Sequence, residues 1–185
     1  TFPVGINTVN CTATDNMGNV TNGSFTVTVT PGNQLLLNPG FDKSMYKGWT
    51  YSVLSQSVSS LADCTLFFLS PSCSLKLVGE RLTRIVTQTI SRAGLAGDKY
   101  SFGLSSKALN IPSGGTYKVE VSFFNRMNRV MLNQTLNFTI GTHDFETLNA
   151  VITVPSAYTK IVFRFTLQKG SGVGWFDDAF LIKLP

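Results

Sequence analysis

Residues 99–125, KYSFGLSSKALNIPSGGTYKVEVSFFN, decide the class of fold. Apolar and polar side chains alternate through Tyr100–Ala108 and again through Tyr117–Asn125, and Pro112–Gly115 supplies a turn between them. A period of two marks a strand with one buried face, and a proline followed by two glycines separates the runs. The pattern extends both ways. Upstream it predicts strands at Leu35–Asn38, Trp49–Val53, Ser74–Val78 and Arg84–Ile90; downstream, at Met131–Phe138, Leu148–Val154, Lys160–Leu167 and Gly174–Ile182. Gly94–Asp98, Gly141–Asp144, Pro155-Ser156 and Gly170–Gly172 mark turns. No window holds a helical apolar stripe longer than about one turn. The expected class is all-β, a two-sheet antiparallel sandwich.

The bulk numbers exclude several functions. A chain of 185 residues, 43% hydrophobic, can pack a core. No apolar run approaches the roughly 18 to 20 residues that cross a bilayer, so membrane insertion is not expected. Thr1–Gly5 lack the charged and apolar regions of a signal peptide and no Met opens the chain, which reads as a piece of a longer precursor. Fifteen Lys and Arg against ten Asp and Glu give +5, but the basic residues are scattered, and nucleic acid is not an expected partner. Low charge, 14%, with abundant Thr, Ser and Asn is common in secreted β proteins, so a secreted or cell-surface location is expected.

Cys64 and Cys73 bracket Thr65–Pro71 at a spacing that a disulfide can close; the other reading is a pair of buried free thiols. Zinc is disfavoured by a single His and the lack of a Cys-x-x-Cys pair. Cys11 is left over. Asn10, Asn19, Asn22, Asn133 and Asn137 begin sequons that a eukaryotic secretory pathway would glycosylate.

The first residues form a separate part. Val4–Thr14 and Ser24–Thr30 read as two strands joined by Asp15–Asn19, a hairpin rather than a domain. Residues 2–29, FPVGINTVNCTATDNMGNVTNGSFTVTV, resemble the C-terminal strands of a hyalin-repeat (HYR) domain, an immunoglobulin-like adhesion module. The resemblance rests on Phe2-Pro3-Val4-Gly5, on Cys11 ahead of Thr-Ala-Thr-Asp, on Gly18-Asn19 and on the closing Ser-Phe-Thr-Val-Thr-Val. The family's second Cys is replaced here by Gly23, so the resemblance implies that Cys11 pairs with a cysteine further upstream. A lone two-stranded hairpin is marginal in water. Residues 1–31 are therefore the end of a truncated domain, a hairpin packed on its own sandwich, or a hairpin donated to a sheet of a neighbouring copy.

Residues 32–185 carry a second resemblance. Residues 33–50, NQLLLNPGFDKSMYKGWT, resemble the opening of bacterial carbohydrate-binding modules of the galactose-binding-like jelly-roll type, where Asn-Pro-Gly-Phe-Glu precedes a Gly-Trp. CSLKLVGE at 73–80, Thr87-Gln88-Thr89-Ile90, Gly97-Asp98-Lys99-Tyr100-Ser101-Phe102 and GWFDDAFLIKLP at 174–185 follow in the family's order. The resemblance implies a jelly roll and a glycan or polysaccharide partner, although such folds host unrelated ligands. It also implies a structural calcium held by Asp42 and by Asp177 or Asp178, where first and last strands meet. Asp42 stands where the family more often has Glu, and strand alternation favours Asp177 over Asp178 as the ligand. The other reading is that these aspartates cap turns or pair with Lys43 or Lys183.

Sugar binding needs a ring for the C–H face of a pyranose and polar groups to read its hydroxyls. Arg84, Gln88, Tyr117 and Arg126 form the expected set on a concave sheet, with Trp175 as a further aromatic candidate; Tyr46, Tyr51, Phe123 and Phe124 are alternatives, and Trp49 is expected in the core. Phe123 and Phe124 must face opposite sides of one strand. Catalytic groups are scarce: one His in a turn, no Gly-x-Ser-x-Gly, and Asp177 with Glu120 as the only conceivable glycosidase pair, without a signature. The expectation is a non-enzymatic, extracellular carbohydrate-binding or adhesion module. The alternative is a structural fibre subunit whose N-terminal strands complete a sheet in another copy of itself.

Overall fold

The computed structural model describes residues 5–29, 33–42, 47–52, 61–70, 73–79, 83–168 and 170–185. The chain forms two compact units, Thr1–Asn33 and Gln34–Pro185. In the first, β1 (Gly5–Thr14) and β2 (Val20–Val29) pair antiparallel from Gly5↔Val29 to Thr14↔Val20. Asp15 builds the turn: its Oδ1 accepts the amides of Met17 and Asn19 at 2.8 and 2.9 Å, and its Oδ2 accepts Asn19 Nδ2 at 2.9 Å. This tight closure lets β2 begin at Val20 rather than at Ser24 as expected. Val4 and Thr30 fall outside the described residues.

The second unit holds β3 (Asn33–Gln34), β4 (Thr50–Tyr51), β5 (Leu61–Asp63), β6 (Ser74–Val78), β7 (Arg84–Ile90), β8 (Lys99–Ile111), β9 (Tyr117–Phe124), β10 (Val130–Asn137), β11 (Gly141–Thr153), β12 (Lys160–Leu167) and β13 (Val173–Lys183). One sheet runs β10-β9-β12-β7-β4, and the other runs β11-β8-β13-β6-β5 with β3 beside β13. The interior comes from every second residue of each strand. Tyr100, Phe102 and Leu104 of β8 and Phe176 and Leu181 of β13 meet Val119, Val121 and Phe123 of β9 and Ile161, Phe163 and Phe165 of β12, all buried. Phe165 lies 4.7 Å from Phe176, 5.6 Å from Trp49 and 6.0 Å from Phe41, ring centre to ring centre. Truncating a ring so enclosed costs about 3–5 kcal/mol.

Leu35–Asn38 is not a strand, and two glutamines explain why. Gln34 Oε1 accepts Leu181 N at 2.9 Å while its Nε2 donates to Ala179 O; Gln88 Oε1 accepts Leu37 N at 2.6 Å while its Nε2 donates to Leu37 O. Beyond the backbone bond from Leu35 N to Leu181 O at 2.9 Å, side-chain amides thus take the place of a ladder. The Asn-Pro-Gly-Phe turn then drives Phe41 into the core, and Trp49 Nε1 donates to Asn38 O at 3.0 Å. Gly141–Asp144, expected as a turn, opens β11 instead, where register shifts after Gly141 and His143 absorb the irregularity. Strand β5 had no expected counterpart, and Val53 lies outside the described residues.

Candidate functional site

Three connections meet at one end of the sandwich: residues 91–98 between β7 and β8, 125–129 between β9 and β10, and 154–159 between β11 and β12. Between them lies an open cleft of about 420 Å³, lined by Leu95, Arg126, Met127 and Thr159 above Gly94 and Tyr158. Its walls are pinned by backbone hydrogen bonds. Gly94 and Tyr158 exchange two, at 3.0 and 3.1 Å; Thr159 N donates to Phe124 O at 2.8 Å, and Gly97 N to Val154 O at 2.8 Å. Asn125 Oδ1 accepts the amides of Met127 and Arg129 at 2.9 and 3.0 Å, which closes the β9–β10 turn.

Beneath the cleft, Tyr158 is buried and its hydroxyl donates to Asp98 Oδ2 at 2.7 Å. It also bonds the Tyr100 hydroxyl. Burial, with that contact next, pushes the Tyr158 phenol far above its ordinary range, so it stays a donor. Asp98 also accepts Lys183 Nζ at 2.8 Å and Leu95 N at 3.2 Å, and the Lys183 contact leads in holding its carboxyl below the usual range. Leu95 and Met127 are each 70% exposed on the rim. The cleft is preorganised and offers apolar surface beside a guanidinium.

Of Arg84, Gln88, Tyr117, Arg126 and Trp175, Arg126 alone lines this cleft, beside Asn125, another polar candidate. The concave-face set does not form. Tyr117 is buried in the core, packed on Phe138 at 4.8 Å and Phe176 at 5.6 Å, because it shares the parity of Val119 and Val121. Gln88 spends its amide on Leu37, and Arg84, two strand positions from Val86, is buried with it. Trp175 lies on the outer side of its sheet but is 4% exposed: Phe67 covers it at 4.8 Å, and its Nε1 donates to Asp63 Oδ2 at 2.9 Å. Phe123 is in the core, while Phe124 faces out with Lys160 Nζ 4.5 Å from its ring centre. Tyr46 lies outside the described residues.

The acidic ends do approach each other. Asp42 Oδ1 accepts Cys73 N at 3.3 Å, and Asp177 reaches the same loop at Leu69 and Ser70. Cys64 and Cys73 are joined in a disulfide that closes this loop, and Cys11 is free and exposed. Asp177 is fully buried; Oδ2 takes Leu69 N and Ser70 N at 2.8 and 3.0 Å, and Oδ1 takes Asp178 N at 2.7 Å and Ser70 Oγ at 3.4 Å. Those donors occupy the four acceptor directions of a carboxylate. Burial, against these bonds, pushes its carboxyl up to about 6. A bulge after Asp177 breaks the expected alternation, and Asp178 sits at φ +49°. Among the described residues no three His, Cys, Asp or Glu gather to hold a metal. Asp177 thus meets three backbone amides and the Ser70 hydroxyl.

Two antiparallel sheets packed over one aromatic core define a β-sandwich of the kind found in carbohydrate-binding modules. TmCBM61, solved in complex with β-1,4-galactotriose, is similar at 14% identity and TM-score 0.59, over 82% of this chain and 99% of that one. A family 16 carbohydrate-binding module is similar at 17% identity and TM-score 0.59, over 80% and 99%. The enzymatically active domain of bacteriophage CBA120 tailspike protein 4 is similar at 16% identity and TM-score 0.66; 85% of this chain covers 22% of that one. At these identities the likeness is one of fold. No family model and no curated protein matches the chain, and the hyalin-repeat resemblance of residues 1–31 finds no support.

Proposed function

We propose that residues 34–185 act as a non-catalytic carbohydrate-binding module of a secreted or surface-exposed protein, with the end cleft as the sugar site. The observation that carries this is a rigid cleft of about 420 Å³ that combines Arg126 with the exposed side chains of Leu95 and Met127, on a fold shared with such modules. Sugars need that pairing of directional polar groups with apolar surface for C–H faces. The Cys64–Cys73 bond supports an oxidising compartment.

The non-catalytic reading draws on the carboxylates. Glu120 faces outward from one sheet, bound by Lys118 Nζ at 2.5 Å and Arg164 Nη1 at 3.1 Å, whereas Asp177 lies on the outer side of the other sheet. Those two cannot flank one glycosidic bond. His143 Nδ1 and Nε2 lie 2.8 Å or less from the carbonyl oxygens of Asp144 and Thr139.

Titration calorimetry against a panel of soluble polysaccharides tests the proposal. Saturable binding that is lost in a Leu95→Ala/Met127→Ala variant of unchanged melting temperature is expected. Binding to none of the panel, or binding indifferent to these changes, overturns it. Self-association through the N-terminal strands is a second reading, favoured because β1 and β2 form a two-stranded sheet with Val20 and Phe25 more than half exposed. Sedimentation that remains monomeric at high concentration removes it.

A further inference from the structure

We infer that the end cleft selects acidic glycans, those bearing a carboxylate or sulfate, over neutral ones; this rests on the carbohydrate-binding reading above. The balance of donors and acceptors around the cleft favours an anionic ligand. A sugar hydroxyl both donates and accepts, so sites for neutral sugars need side-chain acceptors beside their donors. The amide and carboxylate acceptors at this cleft are taken up by its own construction, which leaves the Thr159 hydroxyl to accept on its wall. Asn125 Oδ1 is filled by the amides of Met127 and Arg129. Asp98 is filled by Lys183, Tyr158 and Leu95 below the floor, and no Asp or Glu is among the residues that line the cleft.

Donors remain in surplus. Arg126 lines the cleft and is exposed, Arg129 ends the same turn, and Arg92 belongs to the connection that forms the opposite wall. Among the described residues none of these three guanidiniums has a hydrogen-bond or ion-pair partner. Lys160 adds a further positive charge nearby, its Nζ donating to Asn128 Oδ1 at 2.8 Å. A guanidinium is a planar fork of donors matched to two oxygens of one anionic group, and it cannot accept a hydrogen bond from a hydroxyl. Arg126 on the wall, with apolar Leu95 and Met127 beside it and no carboxylate among the lining residues, fits a pyranose carrying an anionic substituent.

The test compares polymers that differ in charge. Polygalacturonate and a sulfated galactan, against neutral β-1,4-galactan, are titrated into the full chain at about 150 mM salt, where long-range attraction is screened. The expected result is binding of one or both acidic polymers about tenfold tighter than galactan, with that preference lost in Arg126→Gln, since a bidentate charged contact is worth about a factor of ten or more. Lys47→Gln, which removes the same charge far along the sequence in an exposed turn, leaves the preference intact. Should galactan bind as tightly as the acidic polymers, or Arg126→Gln change nothing, the inference falls while the carbohydrate reading stands. Equal losses in Arg126→Gln and Lys47→Gln would mean attraction by net charge alone, and also overturn it. Binding of no polymer overturns both.

Discussion

Gly94→Ala should destabilise the sandwich and deform the cleft together. A Cβ built at Gly94 would stand 2.0 Å from the Tyr158 hydroxyl and 2.2 Å from Asp98 Oδ2. Ordinary contact needs 3.4–4 Å, so the phenol or the carboxylate must move by more than an ångström. Neither has room: Tyr158 is 2% exposed and wedged 5.0 Å from the Phe123 ring, and Asp98 is held by Lys183. Losing the Tyr158–Asp98 bond costs about 1.5–3 kcal/mol, as a hydrogen bond to a charged group, and overpacking a filled site adds about 1–3 kcal/mol. A loss of about 3–5 kcal/mol in a unit of this size lowers the melting temperature by about 6–20 °C. Gly97→Ala is the control. Gly97 has φ +92° and nothing within 4 Å of an added Cβ, so only backbone strain of about 1–2 kcal/mol applies. Thermal melts followed by circular dichroism decide the matter. If Gly94→Ala melts within a degree or two of the parent, or no lower than Gly97→Ala, the pinned floor is not what holds this end together.

Other perturbations read other parts of the molecule. Replacing Cys64 and Cys73 by Ser removes a loop constraint worth about 2.5 kcal/mol and should red-shift fluorescence as Phe67 lifts from Trp175; the shift should vanish in a Trp175→Phe background. Asp98 has a depressed folded-state pKa, so its stabilisation is present above the unfolded value near 3.8 and is lost as pH falls through the folded one. Urea melts should therefore find Asp98→Asn less stable than the parent by a constant margin at pH 5–7, shrinking in more acid solution; a margin constant down to about pH 2 contradicts the assignment. Calcium or chelator should leave the melting temperature unchanged to about 1 °C, because amides already fill Asp177, and a shift of several degrees would show that the loop reorganises around an ion.

The sheets were legible because alternation is a direct image of burial. Parity also fixes which of the expected ligand contacts point inward. Tyr117 shares its side with Val119, Val121 and Phe123, and Gln88 with Val86 and Ile90, so both belonged to the interior. Leu35–Asn38 misled because a glutamine amide can stand in for a strand partner, which no local pattern announces. Strand β5 is three residues long, too short for any period to show. The cleft was hidden for a different reason: Gly94–Asp98 and Pro155-Ser156 were recognisable as turns, but only the sheet order brings them beside Asn125–Arg129.

On both outer faces of the sandwich, rings and charges engage the protein itself. On the six-stranded sheet, the disulfide-closed loop lies over Trp175 and Asp177, and that ring and carboxylate hold the loop down. On the five-stranded sheet, the central row Thr135–Glu120–Arg164–Thr87–Thr50 pairs Glu120 with Arg164, Lys118 adds a second cation to Glu120, and Lys160 covers the outward ring of Phe124. The motifs that resemble the carbohydrate-binding modules, Asn38–Phe41, Trp49, Gln88, Tyr100 and Asp177, all turn out to hold strands, turns or the core. They specify the fold because packing constrains them. Exposed connections such as 125–129 are under no such constraint, and Arg126 can change there without cost to the core.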